Sequence, residues 1–145
     1  MASPTRRFAE GTSVPASKTR VEIEAMLKRH GATSFLYGEH AGLGNLRFAM
    51  RDRHILFRLK LVDENKAPAE HRRRWRALLL VLKGKLESVQ DDTIETFEEA
   101  FLAHTVTPDG TTVGAVMLPQ LADAYRTGHQ PEMRLALPPS GGAQA

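Results

Sequence analysis

The stretch from Glu70 to Asp91, EHRRRWRALLLVLKGKLESVQD, decides the fold. Trp75, Leu78, Leu79, Leu82, Leu86 and Val89 recur at spacings of three and four, which a helical period gathers on one stripe. That stripe is a core face. Leu80 and Val81 widen the apolar sector until the middle of the helix is apolar nearly all round, which predicts neighbours covering it from more than one side. Both ends are polar, His71 to Arg74 before the stripe and Asp91-Asp92 after it. This is the profile of a central helix that crosses a small domain and emerges at both surfaces.

Upstream, VDENKAPA (62–69) is a polar break closed by Pro68, and before it the apolar period switches from 3.6 to two. Phe35 and Tyr37 precede a glycine-rich connection, Gly38 to Gly44, read as a loop. NLRFAMRDRHILFRLKL (45–61) then supplies two alternating runs joined by a charged turn at Arg51-Asp52-Arg53. Together they predict a three-stranded meander. The sets Leu46, Phe48, Met50 and Ile55, Phe57, Leu59, Leu61 must share a face, so Met50 is expected opposite Ile55 and Phe48 opposite Phe57. The same register sets Arg47 against Arg58 and Asn45 against Lys60 on the other face.

Further out, Ser17 or Thr19 is an expected N-cap, with Glu22 completing a capping box, for a first helix running to about His30. Val21, Ile23, Met26 and Leu27 form its apolar face and Gly31 its left-handed end. Downstream, Thr96-Phe97-Glu98-Glu99 repeats the capping pattern for a short helix with Phe97, Phe101 and Leu102 inward. Pro108-Asp109-Gly110 marks a tight turn. Val116, Leu118, Leu121, Ala122 and Tyr125 predict a last helix, with Pro119 starting or kinking it and Gly128 ending it. The expected organisation is a flexible basic arm over 1–15, a single α+β domain over 16–130 and a disordered tail over 131–145.

The 145 residues contain no cysteine, which excludes disulfides, thiolate zinc sites and a cysteine nucleophile. No apolar run approaches the roughly 20 residues that span a bilayer, and the first residues lack a secretory apolar core, so a soluble, unexported protein is expected. The six histidines are scattered with none paired at i,i+4, and no nucleophile elbow, phosphate-binding loop or dinucleotide fingerprint occurs. No cofactor, metal site or catalytic residue is expected. One enzymatic pattern remains to be weighed. Helix, three-stranded meander, helix is the core order of PD-(D/E)xK nucleases, and Glu64-Asn65-Lys66 follows the third strand, with Asp52 upstream and Glu22 or Glu24 on the first helix as further Mg²⁺ ligands.

Charge carries more functional content. Net charge is +3, and the cations concentrate on the polar sheet face and in the HRRRWR run at the start of the central helix. Arg47, Arg58, Lys60, Arg72, Arg73 and Arg76 are therefore the candidate nucleic-acid-binding residues, acting as counter-charges to phosphates. The expected face lacks aromatic residues for stacking on bases, so little sequence preference is expected. The alternative is that the same arginines face an acidic protein partner.

Three segments, SKTRVEIEAMLKRHGATSF, RWRALLLVLKGKLESVQ and TFEEAFLAHTVTPDGTTVGAVMLPQLADAYRTG, together resemble a family of small hypothetical proteins encoded in bacteriophages and prophages, over about residues 13 to 130. The resemblance implies a phage-derived protein in a bacterial cytoplasm and carries no activity or site residues. The resulting expectation is a non-enzymatic phage accessory protein that binds a DNA or RNA backbone through its basic surface. The alternative is a protein-interaction module, such as an inhibitor of a host or defence protein.

Overall fold

The computed structural model describes residues 7–92 and 94–136. The order of elements is α1 (Ala16–Arg29), β1 (Thr33–His40), β2 (Leu43–Met50), β3 (Arg53–Lys60), α2 (Pro68–Ser88), α3 (Phe97–Ala100), a 3-10 turn (Leu102–His104) and α4 (Val113–Thr127). The fold is α+β. The three strands form one antiparallel sheet in the order β1-β2-β3, and α1 and α2 pack together against one of its faces. No helix among the described residues is long and apolar enough to cross a membrane.

The central helix forms as its stripe predicts. Pro68 occupies the first helical turn, where its missing N–H costs nothing, and Trp75, Leu78, Leu79, Leu82, Leu86 and Val89 are all buried. Coverage is one-sided, contrary to expectation, because Val81 keeps 41% of its surface exposed. His71 also departs from the sequence reading. It is fully buried rather than part of a polar end, because it falls one turn before Trp75 on the same stripe.

Two tight turns set the sheet. Ala41 and Gly42 (φ 50° and 77°) join β1 to β2, and Arg51 and Asp52 (φ 49° and 61°) join β2 to β3. Two successive residues at positive φ make the connection whose twist matches that of the flanking strands. The glycine-rich stretch expected as a loop is therefore hairpin, with Gly38, Glu39 and His40 in β1. Phe48 pairs with Ile55 and Leu46 with Phe57, two residues away from the expected register. Apolar parity alone permits both registers. The two-residue turn decides between them, and its left-handed Arg51 carries no sequence signal; the guanidinium lies 5.3 Å from the centre of the Phe97 ring. A bulge at Ser34 (φ 60°) interrupts β1.

α1 begins at Ala16 after Pro15 with no side-chain cap, so the capping box expected at Thr19 is not made. Thr19 is buried instead and Glu22 reaches Arg76. Val21 is 66% exposed, whereas Ile23, Met26 and Leu27 enter the core. The cap expected at Thr96 forms: Thr96 Oγ1 accepts from the Glu99 backbone N–H at 3.2 Å and donates to Glu99 Oε1 at 3.1 Å, so the carboxylate meets the hydroxyl rather than the Thr96 backbone N–H. Phe97 and Phe101 are buried, Phe101 against Phe48 and Phe57 and Phe97 against Phe101, but Leu102 faces out. The Pro108-Asp109-Gly110 turn closes through Thr107 and Thr111.

α4 contains Pro119 in its interior and ends at left-handed Gly128. Only its first turn is anchored. A side chain at Gly114 would stand 2.8 Å from the Ala103 carbonyl, so this approach of α4 to the 3-10 turn needs glycine. Beyond Val116 the predicted apolar residues Leu118, Leu121 and Tyr125 are exposed.

The expected basic arm is described only from Arg7. That residue pairs with Glu70 at 3.2 Å, and the Phe8 carbonyl accepts from Arg73 Nη1 at 2.9 Å. Of the expected tail, residues 131–136 are described, and the Arg134 backbone exchanges two hydrogen bonds with the Gln120 side chain. Residues 1–6 and 137–145 lie outside the described residues.

Candidate functional site

The six predicted cationic side chains divide between two regions. Strand alternation places Leu46, Phe48, Met50, Ile55 and Phe57 on the buried face. The intervening pairs Arg47–Leu56, Asn45–Arg58 and Leu43–Lys60 therefore point the other way. Arg58 and Lys60 are exposed and Arg47 half-buried. Because the register differs from the expected one, Arg47 and Arg58 are diagonal neighbours rather than directly opposed, which eases their repulsion. His40 and His54 share this face, and Leu36 and Leu43 are 64% and 57% exposed on it.

The outward positions of the three strands hold no carboxylate. Among the described residues, Arg47, Arg58 and Lys60 have no ion-pair partner. They are three free charges on one open face.

Arg72, Arg73 and Arg76 belong to the helical layer, so the six residues do not form one strip. Helical geometry brings Glu70 to the residues three and four positions on. Its carboxylate accepts from Arg73 Nη2 at 2.8 Å and Arg74 Nε at 3.0 Å, and it also meets Arg7. Hydrogen bonds from Arg73 and then Arg74 lower the Glu70 carboxyl to about 2. The same bond raises the Arg73 guanidinium above its ordinary value. Arg76 is held by Glu22 at 2.6 Å. Arg72 is half-buried, with a buried Nε that has no partner among the described residues. Three of its four arginines are thus tied to carboxylates, Arg73 and Arg74 sharing one, and Glu70 in the first turn offsets the helix dipole that makes an N-terminal arginine cluster unfavourable.

The nuclease constellation is not assembled. Asp52 sits in the β2–β3 turn and Glu64 beyond the far end of β3, a separation of about 25 Å along an eight-residue strand. Glu22 is engaged by Arg76 and Glu24 by Lys28.

Glu64 joins a different group, one the spacing of residues along the chain does not show. The Ala41-Gly42 turn is tied to the start of the following loop by the Leu61 N–H donating to the Gly42 carbonyl at 2.7 Å. This places Glu64 beside Glu39 at the end of β1. α2 brings His71 and Trp75 to the same carboxylate: His71 Nε2 donates to Glu39 Oε1 at 2.8 Å and Trp75 Nε1 at 3.4 Å. One potential ligand atom from each of Glu39, Glu64 and His71 lies within 4.8 Å of the others. Reading Gly38 to Gly44 as a loop concealed this group. With Ala41-Gly42 as a two-residue turn, alternation puts Glu39 on the helix-facing side.

No protein-family model matches this chain, and neither the search of curated proteins nor that of solved structures returned a match.

Proposed function

We propose that the chain is a non-enzymatic accessory protein that binds a nucleic-acid backbone through the outer face of its sheet, with Arg47, Arg58 and Lys60 as phosphate counter-charges. The observation that supports this reading is that these three cations, on a face without a carboxylate, have no ion-pair partner among the described residues. Free charge on an open surface attracts phosphate, whereas charge already satisfied inside the protein gains little by exchanging one anion for another. Leu36, Leu43 and Leu56 lie among the cations and offer apolar contact, but the face presents no Phe, Tyr or Trp ring for base stacking. Affinity should therefore depend strongly on salt and weakly on sequence. The phage origin implied by the family resemblance, and action in a bacterial cytoplasm, belong to this proposal.

The test is a fluorescence-anisotropy titration of labelled single- and double-stranded DNA and RNA at several salt concentrations. Three phosphate contacts predict a slope of log affinity against log salt of about −2 on single strands and about −3 on duplex. No binding at low salt would discard the proposal. A second reading, a protein-interaction module, is favoured by the exposed Leu118, Leu121 and Tyr125 on α4. It predicts no nucleic-acid binding, together with capture of a protein partner that is lost in a Leu118→Ser/Tyr125→Ser variant.

A further inference from the structure

We infer that Glu39, Glu64 and His71 form a binding site for a divalent transition-metal ion of the Zn²⁺ or Mn²⁺ class, independently of the nucleic-acid surface. The three residues come from the end of β1, the loop after β3 and the first turn of α2, yet their ligand atoms lie within 4.8 Å of one another. The set is not a chance gathering of surface acids, because its nitrogen donor is a fully buried histidine whose Nε2 faces the carboxylates. Burial fixes the imidazole before any ion arrives. Trp75, also buried, donates to the same Glu39 Oε1 at 3.4 Å, as outer-shell donors orient metal ligands.

Charge supplies an independent argument. The protein carries 20 lysines and arginines against 17 acids. Even so, among the described residues neither Glu39 nor Glu64 pairs with a lysine or arginine, although the two carboxylates stand within 4.8 Å of each other. Two adjacent anions without a compensating cation repel, and a divalent ion between them removes the repulsion. An imidazole with two carboxylates favours a borderline metal over Ca²⁺ or Mg²⁺, which prefer all-oxygen shells. Three protein ligands leave a tetrahedral ion one position open to water, on the side where Glu39 and Glu64 are exposed.

His71 also limits the affinity. Without metal its ring proton sits on Nε2, because a carboxylate can only accept. A metal at Nε2 moves that proton to Nδ1, which is buried with no partner among the described residues. The resulting unsatisfied donor weakens binding, so micromolar rather than nanomolar affinity is expected.

The test is calorimetric titration of the full chain with ZnCl2 and MnCl2, with MgCl2 for comparison, on the native protein, Glu64→Gln and Glu39→Gln. Glu64 is exposed and outside the core, so its variant should fold as the parent does, as checked by circular dichroism. One equivalent of Zn²⁺ or Mn²⁺ bound by the native chain, weakened about tenfold or more in Glu64→Gln, supports the site. Absence of binding by both ions at millimolar concentration overturns it, as does binding that Glu64→Gln leaves unchanged. Magnesium binding as tight as zinc would overturn the assignment of metal class.

Discussion

The outer face of the sheet and the first turns of α2 are both basic in sequence and differ in how far their cations are paired. On α2, Arg73 and Arg74 converge with Arg7 on one carboxylate, and Arg76 reaches another on α1. On the sheet, Arg47, Arg58 and Lys60 face outward among leucines, asparagine and histidine. The difference follows from backbone geometry. A helix brings residues three and four apart side by side, so one glutamate in its first turn gathers several arginines. A strand sends alternate residues to opposite faces, and the acids that belong to these strands and turns, Glu39 and Asp52, lie off the outer face. Density of cations along a chain is thus a poor guide to free positive charge. The sheet keeps its three cations without an ion-pair partner among the described residues although it carries fewer arginines.

Four measurements sharpen or break this contrast, taken from the largest expected effect downward. Glu70→Gln removes the negative charge shared by three arginines and should cost about 1–2 kcal/mol, the near-surface position keeping it low. In thermal unfolding that is a fall of roughly 3–8 °C. Nucleic-acid affinity should stay unchanged, because the sheet cations are untouched. A rise in affinity would mean that the helix run, freed of its carboxylate, is part of the contact.

Next in size, Arg47→Ala/Arg58→Ala should weaken nucleic-acid binding about tenfold and make the salt slope shallower by about two, with thermal stability nearly unchanged. An unchanged slope would remove the sheet from the interface. Arg76→Ala comes third, with a loss of under about 1 kcal/mol read from urea unfolding, since its partner Glu22 is partly exposed. Its binding curve should overlay that of the parent.

The smallest effects appear in pH dependence, in two separate windows. Glu70 is depressed to about 2 from an ordinary 4.5. Its contribution is therefore complete above pH 4.5 and lost as pH falls toward 2. Burial, and then nearby Lys85, hold His104 below its ordinary 6.5, where it stacks on Phe57 at 3.9 Å. The unfolded chain takes up that proton first, so stability also declines as pH drops below 6.5. Stability measured against pH should show both declines in the parent and only the upper one in Glu70→Gln. A lower decline that persists in the variant would show that another carboxylate carries it.

Much of the fold is legible from period alone. The α2 stripe, the inward residues of β2 and β3, the cap at Thr96 and the Pro108-Asp109-Gly110 turn all follow from local chemistry. The two departures in the sheet share one cause. Arg51, Asp52 and Ala41 adopt positive φ without the asparagine or glycine pair that announces such turns. The β2–β3 register that parity suggests is consequently two residues away from the observed one, and the β1–β2 hairpin reads as a loop. Parity puts Arg47, Arg58 and Lys60 on the outer face of the sheet, whereas nothing local shows that Glu22 reaches Arg76 or that Glu70 gathers Arg73 with Arg7. Leu118, Leu121 and Tyr125 carry a helical apolar pattern, but a pattern shows only that a face could be covered.

By itself the sequence determined the α+β class, the central helix, the inward faces of β2 and β3 and an excess of cations. Each depends on a period or on composition, which are local properties. Only the tertiary structure decided which cations are neutralised, that α4 leaves the core after one turn, and that Glu39, Glu64 and His71 meet. These depend on distances between residues far apart in the chain, set by the packing of α2 against the sheet and by two turns whose left-handed residues give no local signal.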